Sequence, residues 1–170
     1  MELYIAIGIG ALLIIIIMLI LIFQYKKLAT LKKVVTESFA TLQVFLEKRL
    51  EILSDIIKMC SPDAIKNKEI GHLLSLITAL QQNIESPKRL SIESSLDKAY
   101  KATIAALSNI NQKSAKFQKL LNNYKAVQAD IISSKNYYNN NVESYNKRVT
   151  KAPSSFIANI FGFKKELYIK

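Results

Sequence analysis

Residues 117–149 read FQKLLNNYKAVQADIISSKNYYNNNVESYNKRV. Within them Phe117, Leu121, Tyr124, Gln128, Ile131, Lys135, Tyr138, Val142, Tyr145 and Val149 recur at alternating steps of four and three. That spacing draws one stripe along an α-helix, and a stripe so long needs a partner helix over its whole length. The partner is upstream. Between Tyr25 and Cys60 there is no Gly or Pro, and Leu28, Leu31, Val35, Phe39, Leu42, Phe45, Leu46, Ile52, Leu53 and Ile56 repeat with helical spacing. Ser61-Pro62-Asp63 ends this first long helix, because Pro disfavours helix at the residue before it. A second helix carries Ile70, Leu73, Leu74, Ile77, Leu80 and Ile84 and stops near Ser86-Pro87; a third opens at Ser91 with Ile92, Leu96, Tyr100, Ile104 and Leu107. The polar stretch Ser108–Ser114 separates it from the fourth. Short loops force neighbouring helices antiparallel, so residues 24–153 are expected to form an all-α, up-and-down bundle of about four helices, the first and last long.

Ahead of the bundle, residues 3–23 contain no charged side chain. As a helix these 21 residues cover about 30 Å, the thickness of a bilayer's hydrocarbon core. Met1-Glu2 is no basic n-region, and no small-residue exit follows Phe23, so the run reads as an uncleaved signal anchor. Lys26, Lys27, Lys32 and Lys33 follow the span and no basic residue precedes it. The positive-inside rule then puts the N-terminus outside and the domain in the cytoplasm. By parity the fourth helix returns to the membrane end, which leaves the tail, residues 154–170, near the bilayer. The tail mixes Phe156, Ile157, Ile160, Phe161, Phe163, Leu167, Tyr168 and Ile169 with Lys164, Lys165 and Lys170. It is expected to fold back on the base of the bundle, with insertion into the membrane interface as the alternative.

The chain carries 24 Lys and Arg against 13 Asp and Glu, with one His, one Cys, no Trp, 4 Gly and 3 Pro. Every basic residue follows the apolar run, so from Gln24 onward 24 basic groups face 12 acidic ones, a net +12. The lysines are spread over all helices without the clustered Arg and stacking aromatics of a nucleic-acid groove, so the expected partner is anionic inner-leaflet lipid, not nucleic acid. Each Lys close to such a surface contributes about 1 kcal/mol. His72 and Cys60 are the only residues of their types, and Gly8, Gly10, Gly71 and Gly162 are too scattered for a phosphate-cradling loop. Glu47, Glu51 and Asp55 share a helix face with Lys48 and Arg49 between them and read as a solvated surface. No catalytic residue, metal ligand or cofactor is expected.

The chain resembles the LemA family, bacterial membrane-anchored helical-bundle proteins. The resemblance rests on Tyr138-Asn139-x-x-Val142-x-x-Tyr145-Asn146, followed by Pro153, Ala158, Gly162-Phe163 and Tyr168-Ile169. Phe117-x-x-Leu120 through Gln128-x-x-Ile131 to Lys135 adds to it. So do Tyr25-x-x-Leu28, Glu37-Ser38-Phe39 and Val44-x-Leu46-x-x-Arg49-x-x-Ile52-Leu53. It covers roughly residues 25–57 and 117–169; the middle matches only in helical pattern. Departures from the family pattern are Lys26 for Asn, Phe39 for Trp, Ser54 for Pro, Gln128 for Glu, Lys135 for Arg and Ala152 for Phe. The resemblance implies a membrane bundle without an established biochemical role.

Pairing residue i on the first helix with about 174 − i on the fourth places Arg49 near Gln128 and the Ser38-Phe39 pair near Lys135. An Arg49–Gln128 hydrogen bond is therefore expected to fix helix register. Tyr138 and Tyr145 are expected in the core, with Asn139 and Asn146 flanking the seam. The expected function is a non-enzymatic scaffold or interaction module that binds unidentified proteins or further copies of itself. A membrane-tethered sensor with a ligand cleft is the alternative.

Overall fold

The computed structural model describes residues 1–59, 67–82, 86–107 and 114–169. Among these residues there are five α-helices and no strand: α1 (Glu2–Lys58), α2 (Lys68–Gln81), α3 (Ser86–Leu107), α4 (Ala115–Thr150) and α5 (Ser154–Phe161). The expected stop at Ser61-Pro62-Asp63, Cys60 and Ile84 lie outside the described residues.

α1 runs unbroken from the apolar run into the domain, as the absence of helix breakers from Gln24 to Lys58 requires. Within 4–23 nearly every described side chain is exposed, and Leu21 is half-buried. α3 begins at Ser86 and not at Ser91. Pro87 is therefore in its first turn, where the missing N–H removes no helical bond. α2 opens at Asn67, whose side chain accepts from the Glu69 N–H at 2.9 Å.

The chain divides into two compact units, residues 1–43 with 132–170 and residues 44–131. In the first, Leu28, Val35, Tyr138, Val142, Tyr145, Ile157 and Ala158 form the core, with Leu21, Leu31, Val149, Phe163 and Ile169 packed around it. Each large side chain removed from water here contributes about 1.5–3 kcal/mol. The Phe39 and Tyr138 rings are 5.6 Å apart, Lys32 Nζ lies 5.9 Å from the Tyr145 ring centre, and Arg148 donates to Gln24 Oε1 at 3.0 Å. Numbers fall along α1 as they rise along α4, so in this unit the two segments run antiparallel. The register differs from the expected one by about a turn, since Phe39 meets Tyr138 and not Lys135. Ser38 takes the buried place beside Phe39, its hydroxyl satisfied by the Val35 carbonyl at 2.8 Å, while the Phe39 ring is 37% exposed.

In the second unit, Leu50, Leu53, Ile56 and Ile57 of α1, Ile70, Leu73, Ile77 and Leu80 of α2, Leu96, Ala99 and Leu107 of α3 and Phe117, Tyr124, Val127 and Ile131 of α4 are buried. α2 packs on α3, and Thr103 donates from its hydroxyl to the Glu69 carbonyl at 3.2 Å. The 3.5-residue stripe of α4 is buried or half-buried at every expected position.

Candidate membrane-proximal site

The residues that follow the apolar run are held by the chain's other end. Gln24 Oε1 accepts from Arg148 at 3.0 Å and from the Ser154 hydroxyl at 2.9 Å. The Tyr25 ring lies 4.8 Å from Phe161 and 5.8 Å from Phe163. Pro153 sits at the start of α5 after a cis peptide bond. At the other end of α5 Gly162 takes φ 71°, in the left-handed region that a β-carbon disfavours. That turn lets the Phe163 N–H donate to the Ala158 carbonyl at 2.9 Å and sends Phe163 back onto the core. Lys26 and Lys27 are exposed beside Tyr25.

Beyond Gly162 the chain is extended and lies along the first unit's helices. Asn146 accepts from the Glu166 N–H at 2.9 Å and donates to the Glu166 carbonyl at 2.8 Å. Asn139 does the same to Ile169, at 2.9 and 2.8 Å. The Tyr138 hydroxyl donates to the Leu167 carbonyl at 2.9 Å, and Lys32 forms an ion pair with Glu166. Thus both Asn side chains of the repeated Tyr-Asn motif grip tail backbone, while Tyr138 and Tyr145 face the core. Burial, and secondarily the Glu166 carboxylate, raises the pKa of both tyrosine hydroxyls above the usual value. The expected fold-back is what residues 163–169 do. Lys32, expected to face lipid, has Glu166 as its partner, and Lys33 lies 3.7 Å from Glu37 on the exposed face of α1.

In the second unit Arg49 is 3% exposed and ion-paired with Glu93, with Asp97 3.8 Å away. Asp97 accepts from the Gln128 amide at 3.2 and 3.3 Å and from the Tyr124 hydroxyl at 3.2 Å, and Tyr124 stacks on Tyr100 at 3.8 Å. Burial, then the Asp97 charge, pushes the Tyr124 hydroxyl well above the tyrosine range. The expected Arg49–Gln128 hydrogen bond is not formed: Gln128 Oε1 is buried without a partner. The two side chains meet through the acids of α3 instead, since an anion satisfies a buried guanidinium better than a neutral amide.

Of the remaining candidates, Lys135 is half-buried on α4 and His72 is exposed on α2. Among the described residues no group of three His, Cys, Asp or Glu side chains is placed to hold a metal. An open cleft in the second unit is lined by Glu47, Leu50, Glu51, Ser54, Lys58, Leu80 and Gln81. The tail's hold on Asn139 and Asn146 escaped sequence reasoning; the repeat at a spacing of seven was the one available signal.

Compared with known protein families, residues 38–170 match the LemA family. The match runs through the middle of the chain as well as through the Tyr-Asn repeat and the tail. No individually curated protein matches the chain.

Proposed function

The chain belongs to the LemA family, and from that premise we propose that it is a non-enzymatic, single-pass membrane protein whose helical domain is an interaction scaffold at the cytoplasmic face of a bacterial membrane. One observation carries the reading. The apolar residues 4–23, nearly all exposed, belong to the same unbroken helix that supplies Leu28 and Val35 to the core of the first unit and Leu53 to that of the second. A span that continues into the domain fixes the domain's distance and tilt at the bilayer, which suits a structural or docking role. In this reading the helices form one antiparallel up-and-down bundle, and Lys26, Lys27 and Lys33 face anionic lipid. The antiparallel contacts of α1 with α4 in the first unit support it.

The test has two parts. The full chain in bacterial membranes should resist alkaline extraction, and a C-terminal tag should become protease-sensitive only after the cells are opened. In-cell crosslinking should then capture a fixed set of partners, or further copies of the chain. Release by alkali would refute the anchor, and a chain that crosslinks to nothing would refute the scaffold.

A further inference from the structure

α5 has eight residues, about 12 Å of helix. Its first residue, Ser154, bonds Gln24, and its last, Phe161, lies against Tyr25. Gln24 and Tyr25 are neighbours on α1, only about 1.5 Å apart along its axis. A helix whose two ends meet the same level of another helix crosses it. α5 is therefore transverse to α1, one residue past the end of the apolar run at Phe23.

The direction of its faces follows. Ser154, Ile157 and Ala158 are buried, and the core they join is made of Leu28, Val35, Tyr138, Val142 and Tyr145, on the domain side of Gln24. Phe156 and Ile160 project from the opposite face and are 63% and 60% exposed. That face is turned toward the apolar run, where Ile22 and Phe23 are likewise exposed. Around it Lys26, Lys27, Lys151, Lys164 and Lys165 are exposed, whereas the nearby acid, Glu166, is engaged with Lys32.

We propose that α5 is an interfacial helix. Its Phe156–Ile160 face, with Phe161 at its end, lies in the headgroup layer of the bilayer, and the surrounding lysines bind anionic lipid phosphates. Aromatic and aliphatic side chains on one face, rimmed by Lys, suit that layer, and the patch is continuous with the span itself. The proposal rests on the reading that residues 3–23 cross a membrane, and it holds for either orientation.

The chain has no Trp, so single-Trp variants of the full protein report on one site each. Ile14→Trp, Phe156→Trp and Tyr137→Trp are placed in vesicles of phosphatidylcholine and phosphatidylglycerol and tested with brominated lipids and aqueous iodide. Tyr137, 58% exposed on α4, serves as the water-facing reference. Phe156→Trp should emit further to the blue than Tyr137→Trp. It should lose most of its emission to lipid brominated near the headgroup and resist iodide, while Ile14→Trp is quenched by bromine deep in the acyl chains. The proposal is overturned if Phe156→Trp is as open to iodide as Tyr137→Trp while Ile14→Trp remains lipid-quenched. Shielding of Phe156→Trp from both quenchers would also overturn it, because another protein copy would then cover the face. Failure of Ile14→Trp to respond to brominated lipid would refute the anchor and the proposal with it.

Discussion

Replacing Asn146 by Ala removes two hydrogen bonds at once, the acceptor of the Glu166 N–H and the donor to the Glu166 carbonyl. A neutral intramolecular hydrogen bond contributes about 1 kcal/mol net, so the pair is worth about 2 kcal/mol. The Lys32–Glu166 ion pair stays in the variant, but both side chains are partly exposed, and such pairs contribute at most about 1 kcal/mol. The tail should then open more often by the factor that 2 kcal/mol sets, about 30-fold, since 1.4 kcal/mol is tenfold. Amide hydrogen exchange of the full chain reads this directly, because the Glu166 and Ile169 amides exchange through local opening of the tail while the α4 core exchanges through larger openings. Asn146→Asp keeps an acceptor for the Glu166 N–H but turns a second oxygen toward the Glu166 carbonyl; it should be no better than Ala. If the Glu166 amide exchanged at the same rate in Asn146→Ala as in the natural chain, the Asn side chains would not be what holds the tail.

Arg49→Met strands the Glu93 carboxylate, only 14% exposed, and should cost about 3–5 kcal/mol in denaturant unfolding, most of it recovered by adding Glu93→Met. A stability gain from Arg49→Met alone would contradict the assigned pairing. Gln128→Glu replaces two donors to Asp97 with a like charge and should destabilise by about 1–2 kcal/mol, relieved by Asp97→Asn, in the same assay. The hydroxyls of Tyr124, Tyr138 and Tyr145 have folded pKa values above the unfolded value near 10. Their contribution is thus complete below about pH 10 and is lost as pH rises further, because only the unfolded chain then ionises them. Thermal melts between about pH 9 and 12 should show the fall, less steep in Tyr145→Phe; unchanged melting across that range would refute it.

The long stripes were legible because apolar side chains at a 3.5-residue period have one explanation, and burial along α4 follows them from Phe117 to Val149. Pairing two stripes, by contrast, sees only two helices. It brought Arg49 toward Gln128, yet the acids they turn to, Glu93 and Asp97 for Arg49 and Asp97 for Gln128, come from α3. A third helix is invisible to a rule that matches the first with the fourth. The stripe also misplaced Phe39, because a Ser whose hydroxyl can return to its own helix's carbonyl is as easily buried as a ring. At the membrane end, Lys32 was read by its charge and its distance from the span, and the sequence holds no sign that Glu166 would reach it.

The doubled Tyr-Asn motif makes sense only with the tail in place. Asn139 and Asn146 are one heptad apart, about 10.5 Å along α4, and the residues they grip, Ile169 and Glu166, are three apart, about 10 Å of extended chain. Each Asn bonds both the N–H and the carbonyl of one tail residue. The tail obeys the same period of three: Phe163, Glu166 and Ile169 are half-buried, while Lys164, Lys165, Leu167 and Tyr168 point outward. Because Asn bonds backbone and not side chain, no partner sequence announces the contact, and the motif reads as two polar residues beside a seam. Its effect is positional. With Glu166 and Ile169 fixed on α4 and Ser154 fixed on Gln24, α5 is tied at both ends and must lie across the exit of the apolar helix, where its exposed Phe156 and Ile160 meet whatever surrounds that helix.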